Sequence, residues 1–320
     1  MDIKTKKLKH ISSLIGMILT TTIAVTFIVN NGLFYIVATW APLISYEPWF
    51  TLTLNSIGLY LVGFTMYSML MKRIPNYNNE DEVNELSVPI EKKYSFTELI
   101  SLIFICLAAL YASNFVSVAI NALISYLKGT DIVNPLQAII SSSNLIYIFI
   151  YVCIVAPVVE ELMFRKILLN KLMPFGQKLS IVVSAFAFGL FHGNLYQILY
   201  AFVIGIILAL VTINSGSIKY AIILHIVINT LGSVVFPYLL LSGNAVAMTI
   251  AVLTVFLSIL VGTVLYVVKR KTLFSKLAEE IKSEQNEPMK ISTSLLSIGM
   301  IVFWLTITAL VIVRTFFFNF

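Results

Sequence analysis

Long apolar blocks alternate with short polar or basic breaks along almost the whole chain. A block of about 18 or more residues is long enough to cross ~30 Å of hydrocarbon as a helix. The pattern predicts nine such spans, at 11–38, 50–71, 97–127, 145–168, 179–194, 195–214, 218–241, 244–268 and 291–315, the fifth being the weakest. The expected fold is all-α, a polytopic transmembrane helix bundle. Ser95 and Glu98 have the spacing of a capping box that opens the third span. The polar stretch 74–96, broken by Pro75 and Pro89, is expected to be a solvated connector. Residues 272–290 form a second connector with room for a short interfacial helix.

Basic residues set an orientation on these spans. Lys4, Lys6, Lys7 and Lys9 precede the first, Lys72 and Arg73 follow the second, and Lys92 and Lys93 precede the third. Alternation puts Arg165, Lys166, Lys171 and Lys178, then Lys219, then Lys269, Arg270 and Lys271 on that same side. The positive-inside rule makes it the cytoplasm, with the N-terminus inside and the C-terminus outside. The chain divides into 1–144, N-terminal spans with the loop 74–96; 145–242, a core; and 243–320, C-terminal spans with the loop 269–290.

Composition agrees with the pattern. Of 320 residues 59% are hydrophobic and only 11% are charged. About a quarter would be charged in a soluble domain. The net charge of +6 lies beside the apolar blocks, so it marks topology and not a nucleic-acid partner. Cys106 and Cys153 fall in different blocks and support neither a disulfide framework nor a thiolate metal site. A lipid bilayer is the first partner that the chain implies.

The strongly polar side chains expected away from span ends are Glu160 and Glu161 in span four, His192 at the end of span five, and His225 with Asn229 in span seven. A charge at the bilayer centre costs roughly 2.5–3.5 kcal/mol on insertion scales, so two adjacent carboxylates need a purpose. Residues four apart share a helix face. That pairs Glu161 with Arg165 in "EELMFR", Phe188 with His192 in "FGLFH", and His225 with Asn229 in "HIVIN". Neighbours on a helix are about 100° apart, so one glutamate can face a cavity while the other pairs with Arg165. A carboxylate beside a histidine in a site of low dielectric can deprotonate a water. A second histidine and an amide can stabilise an oxyanion. The same Glu and His residues could equally ligate a divalent metal such as zinc, and an intramembrane Glu160 also suits a proton or ion carrier. Taken singly, Glu161 and Arg165 make a structural ion pair and Phe188 is packing.

The three motifs resemble the Glu-Glu-x-x-x-Arg, Phe-x-x-x-His and His-x-x-x-Asn motifs of the CPBP intramembrane proteases, also called the CAAX protease or Abi family, in order across roughly residues 145–242. The resemblance implies an intramembrane endopeptidase. Glu160 would activate water with His192, His225 and Asn229 would stabilise the oxyanion, and Glu161, Arg165 and Phe188 would support the site. It favours a reaction without a metal cofactor, with Zn2+ or another divalent ion held by Glu160, His192 and His225 as the alternative. The implied substrate is a hydrophobic peptide or membrane-protein segment, with links to bacteriocin immunity or peptide processing in bacterial members. The richness in Ile, Lys and Asn points to a bacterial cytoplasmic membrane.

One expectation concerns depth. Counted from the basic residues at about 1.5 Å per residue, His225 lies about 9 Å in and His192 about 21 Å. A tilted or late-starting fifth helix, broken after "FHGN" at Gly193 and Asn194, reconciles the two.

Overall fold

In a computed structural model the chain is helical nearly throughout, with residues 2–75, 93–132, 134, 144–277, 279 and 289–317 described. Among the described residues nine principal helices follow one another: α1 Ile3–Trp40, α2 Trp49–Arg73, α3 Phe96–Lys128, α4 Leu145–Phe175, α5 Gln177–Phe191, α6 Leu195–Ser215, α7 Ile218–Leu241, α8 Ala245–Leu273 and α9 Ile298–Phe316. All but α5 are long and apolar enough to span a bilayer, so the chain is an integral membrane protein with eight such helices among the described residues. The loop 76–92, the "SSS" at 141–143 and residues 280–288 of the second connector lie outside the described residues.

The fifth span is the correction. The helix α5 has 15 residues. At that length it rises only about 22 Å, short of the ~30 Å hydrocarbon core. It begins at Gln177, so it does not start late. It stops after Phe191 because Gly193 takes the left-handed conformation at φ 59°, a conformation that commonly ends helices. Asn194 then caps the next helix, its side-chain oxygen accepting from the Gln197 N–H. The break after "FHGN" is therefore present at the two residues expected to make it. The capping box is present too: Ser95 N–H donates to Glu98 Oε2 at 2.8 Å, and Glu98 N–H to Ser95 Oγ at 3.3 Å.

Two large apolar cores share the bundle, with a small third at Leu52, Ile148, Cys153 and Val234. One joins α1, α2, α4, α5 and α9 around Leu19, Tyr67, Phe164, Phe188 and Phe303. The other joins α3, α6, α7 and α8 around Cys106, Leu208, Leu224 and Leu273, with Leu169 of α4 and Ile181 of α5 reaching into it. The helices α4 to α7 meet where the two cores adjoin.

Lipid offers no hydrophobic drive between helices, so close backbone approach at small residues carries much of the packing. A Cβ on Gly262 of α8 would overlap the Phe104 carbonyl of α3, and one on Gly16 of α1 would overlap the backbone at Gly299 of α9. Beside the α1–α9 contact, the Ser12 and Ser294 hydroxyls share a hydrogen bond of 2.7 Å.

Four wide, π-helical stretches interrupt the helices: Ile57–Gly63 in α2, Phe149–Val155 and Leu162–Leu169 in α4, and Asn229–Val235 in α7. Such bulges are rare and concentrate at functional sites. Here the two in α4 bracket Glu160 and Glu161, and the one in α7 begins at Asn229.

Replacing Gly262 with Ala forces α8 away from α3 and should cost about 1–3 kcal/mol, the usual range for overpacking. Thermal unfolding in detergent checks this, with Gly32→Ala as the neutral control because a Cβ there meets nothing within 4 Å.

Candidate active site

The two glutamates diverge as the helical geometry requires. Glu161 is fully buried and Glu160 retains 15% side-chain exposure, facing a cavity. Glu161 Oε2 lies 3.2 Å from Arg165 Nε one turn later, the expected pair. Its other oxygen, Oε1, accepts a hydrogen bond of 2.8 Å from His225 Nδ1 on α7. The opposite ring nitrogen of His225, Nε2, sits 3.7 Å from Glu160 Oε2. His225 thus stands between both carboxylates, although 64 residues separate it from Glu161 in sequence.

Arg165 extends the arrangement into α5 and α6. Its guanidinium carbon lies 4.3 Å from the centre of the Phe188 ring, a cation–π contact. Its Nη2 donates to the Gly205 carbonyl of α6 at 3.3 Å. Phe188 meets His192 edge-on at 5.0 Å and His225 edge-on at 5.7 Å between ring centres. So Phe188 stands between the two histidines, with the Arg165 cation at its face. Gly205 is needed for this fit, since a Cβ there would crowd Phe188 and the backbone of Ala185.

His192 caps the end of α5. Its Nδ1–H donates to the Phe188 carbonyl at 2.9 Å, since a carbonyl can only accept. This leaves Nε2, with its lone pair, as the ring nitrogen free for other partners. The turn that follows is held from outside the α4–α7 core: Arg314 of α9 donates to the Gly193 carbonyl at 3.2 Å.

Asn229 is anchored by a gap in another helix. In the wide stretch of α4 the Ala156 N–H bonds back five residues to the Tyr151 carbonyl. The next N–H in that register would meet Val152, but position 157 is proline and has none. The Val152 carbonyl instead accepts from Asn229 Nδ2 at 3.0 Å. Neighbouring side chains commonly satisfy proline-freed carbonyls in this way in membranes.

Glu160, His192, His225 and Asn229 all line one cavity of about 270 Å³, enclosed by α2 through α7. Glu161 and Arg165 lie behind its wall, and Phe188 forms part of it. The structure adds lining residues that the sequence analysis did not single out: Asn55 and Tyr60 on α2, Gln197 and Tyr200 on α6. The set of polar positions inside spans therefore extends to Asn55 and to Asn30 of α1, whose Nδ2 donates to Asn55 Oδ1 at 2.9 Å. Their signal was present as amides within apolar runs.

Glu160, His192 and His225 do not converge as a metal-binding group; among the described residues no three His, Cys, Asp or Glu side chains do so.

Removing one partner from a buried ion pair costs about 3–5 kcal/mol, because the other charge is left without compensation. Arg165→Met should lose stability on that scale in a detergent melt, and the double variant Glu161→Gln/Arg165→Met should recover part of it.

Comparison with known proteins places this constellation. Residues 142–231 match the family model described as type II CAAX prenyl endopeptidase Rce1-like. No curated protein and no solved structure matches the chain significantly. The matched segment holds Glu160, Glu161, Arg165, Phe188, His192, His225 and Asn229, and over these residues the chain is similar to the CAAX prenyl endopeptidases that the family model describes.

Proposed function

We propose that this protein is an intramembrane endopeptidase that uses a water activated at Glu160 to hydrolyse a peptide bond in a hydrophobic peptide or membrane-protein segment. The observation that carries the reading is the gathering of Glu160 from α4, His192 from the end of α5, and His225 and Asn229 from α7 on one cavity within an apolar bundle. Glu160 is the base, because Glu161 is already committed to Arg165 and His225 while Glu160 accepts no hydrogen bond among the described residues.

In this mechanism a water lies between the Glu160 carboxylate and Nε2 of His192. Glu160 takes one of its protons as the oxygen attacks the scissile carbonyl. The carbonyl π bond opens and places a negative charge on oxygen, which Asn229 and His225 stabilise. The proton held by Glu160 then passes to the departing amine as the C–N bond breaks, so the base is regenerated. Glu161 keeps His225 oriented through Nδ1, and Arg165 with Phe188 fixes the spacing of the two histidines. No step needs a metal ion.

The family description names CAAX prenyl endopeptidases. For this chain we place the substrate among apolar peptides of a bacterial cytoplasmic membrane, with peptide processing or bacteriocin self-immunity as the setting. The low-charge, Ile-, Lys- and Asn-rich composition supports that choice.

Cells carrying the wild-type protein should release peptides that are missing from cells carrying Glu160→Gln or His192→Ala at equal membrane abundance. Quantitative peptidomics reads the difference, and identical profiles would overturn the assignment. Treating membranes with a strong chelator should leave the wild-type profile unchanged, and loss of cleavage restored by Zn2+ would contradict the metal-free mechanism.

A further inference from the structure

A count of hydrogen-bond donors among the motif side chains leaves the oxyanion undersupplied. The His192 Nδ1–H is committed to Phe188, and the His225 Nδ1–H to Glu161. The Nε2 of His225 can donate only when the ring carries a second proton. Asn229 has committed one of its two amide protons to Val152, leaving one. The Gln197 amide faces the Tyr200 oxygen as a donor and the Gln197 oxygen accepts from Asn194, which leaves the Tyr200 O–H uncommitted. A carbonyl oxygen gaining full negative charge in an apolar interior needs better than one assured donor.

Tyr60 of α2, with Tyr151 of α4 and Tyr200 of α6, brings an uncommitted hydroxyl to the same cavity. Tyr60 has no hydrogen-bond partner among the described residues, and it lies within electrostatic reach of Glu160. The neighbouring backbone is built to hold it there. Tyr60 sits in the wide stretch Ile57–Gly63, whose two glycines press against α1: a Cβ on Gly58 would overlap Asn30 Oδ1, and one on Gly63 would crowd Thr26 Oγ1. Leu59 and Asn55 of the same helix line the cavity with it.

We propose that Tyr60 is a further catalytic residue, the second donor to the oxyanion, acting from outside the family-matched segment. The inference rests on the endopeptidase reading above. As water oxygen bonds to the scissile carbon, its proton goes to Glu160 and the carbonyl electrons move to oxygen. The Tyr60 O–H donates a hydrogen bond to that oxygen and keeps its own proton throughout. When the tetrahedral species collapses, the C=O bond re-forms, the amine leaves with the proton from Glu160, and Tyr60 is unchanged.

The test uses the full-length protein in liposomes with a fluorescence-quenched peptide library carrying apolar residues on both sides of the cleavable bond. Tyr60→Phe keeps the ring and removes only the hydroxyl. It should lower kcat about 100-fold, the usual effect of losing one oxyanion donor, with KM within a factor of about three. Wild-type kcat in Tyr60→Phe would overturn the proposal, and so would a loss confined to KM, which indicates ground-state binding alone. Glu160→Gln run beside it separates the two claims. Hydrolysis that survives in Glu160→Gln overturns the endopeptidase mechanism itself, whereas hydrolysis lost there but intact in Tyr60→Phe overturns only the role of Tyr60. A wild-type protein that cleaves no member of the library overturns both.

Discussion

The buried carboxylate of Glu161 is the constraint around which the site is arranged. An ionised group placed in a helix bundle surrounded by lipid is tolerable only when its partners are close and well oriented. Arg165 supplies the compensating cation from one turn along, and His225 brings an N–H from another helix. Each partner then has demands of its own. The planar guanidinium takes the face of Phe188 and the carbonyl of Gly205, and the imidazole turns its second nitrogen toward Glu160. One charge thereby fixes the relation among α4, α5, α6 and α7, and Glu160 inherits a defined position from a neighbour it does not touch.

This arrangement divides labour between two adjacent residues of the same type. Glu161 is committed, one oxygen accepting from a ring N–H and the other facing a cation at 3.2 Å. Glu160, about 100° around the helix, keeps its oxygens for the cavity. The pair sits between two irregular stretches of α4, Phe149–Val155 before it and Leu162–Leu169 after it.

Much of this was legible in the residues. Spacing of four paired Glu161 with Arg165, Phe188 with His192 and His225 with Asn229, and two breakers marked the end of α5. The spans were legible from hydropathy because lipid demands it of every long helix. What local spacing could not reveal was partnership between helices: the hydrogen bond from His225 to Glu161 joins residues on α7 and α4, and no periodicity encodes it. The expected span 179–194 starts two residues after the helix does and runs three past its end, through His192, Gly193 and Asn194. The share of the site contributed by α2 was hidden. Asn55 and Tyr60 lie in a segment whose composition is that of an ordinary span, far from any motif.

The anchoring of Asn229 carries a consequence for how such a site tolerates change. Its amide is held by a carbonyl that is free only because Pro157 withholds a backbone N–H from it. An alanine at that position would improve the helix by every local measure, since it would supply the missing donor. It would also set backbone against side chain in competition for one acceptor, and the backbone, already tethered, has the entropic advantage. A more regular α4 would therefore come with a looser Asn229. Constraint at this position comes from an absent proton, and it would go unseen by any survey that counts only the contacts a side chain makes.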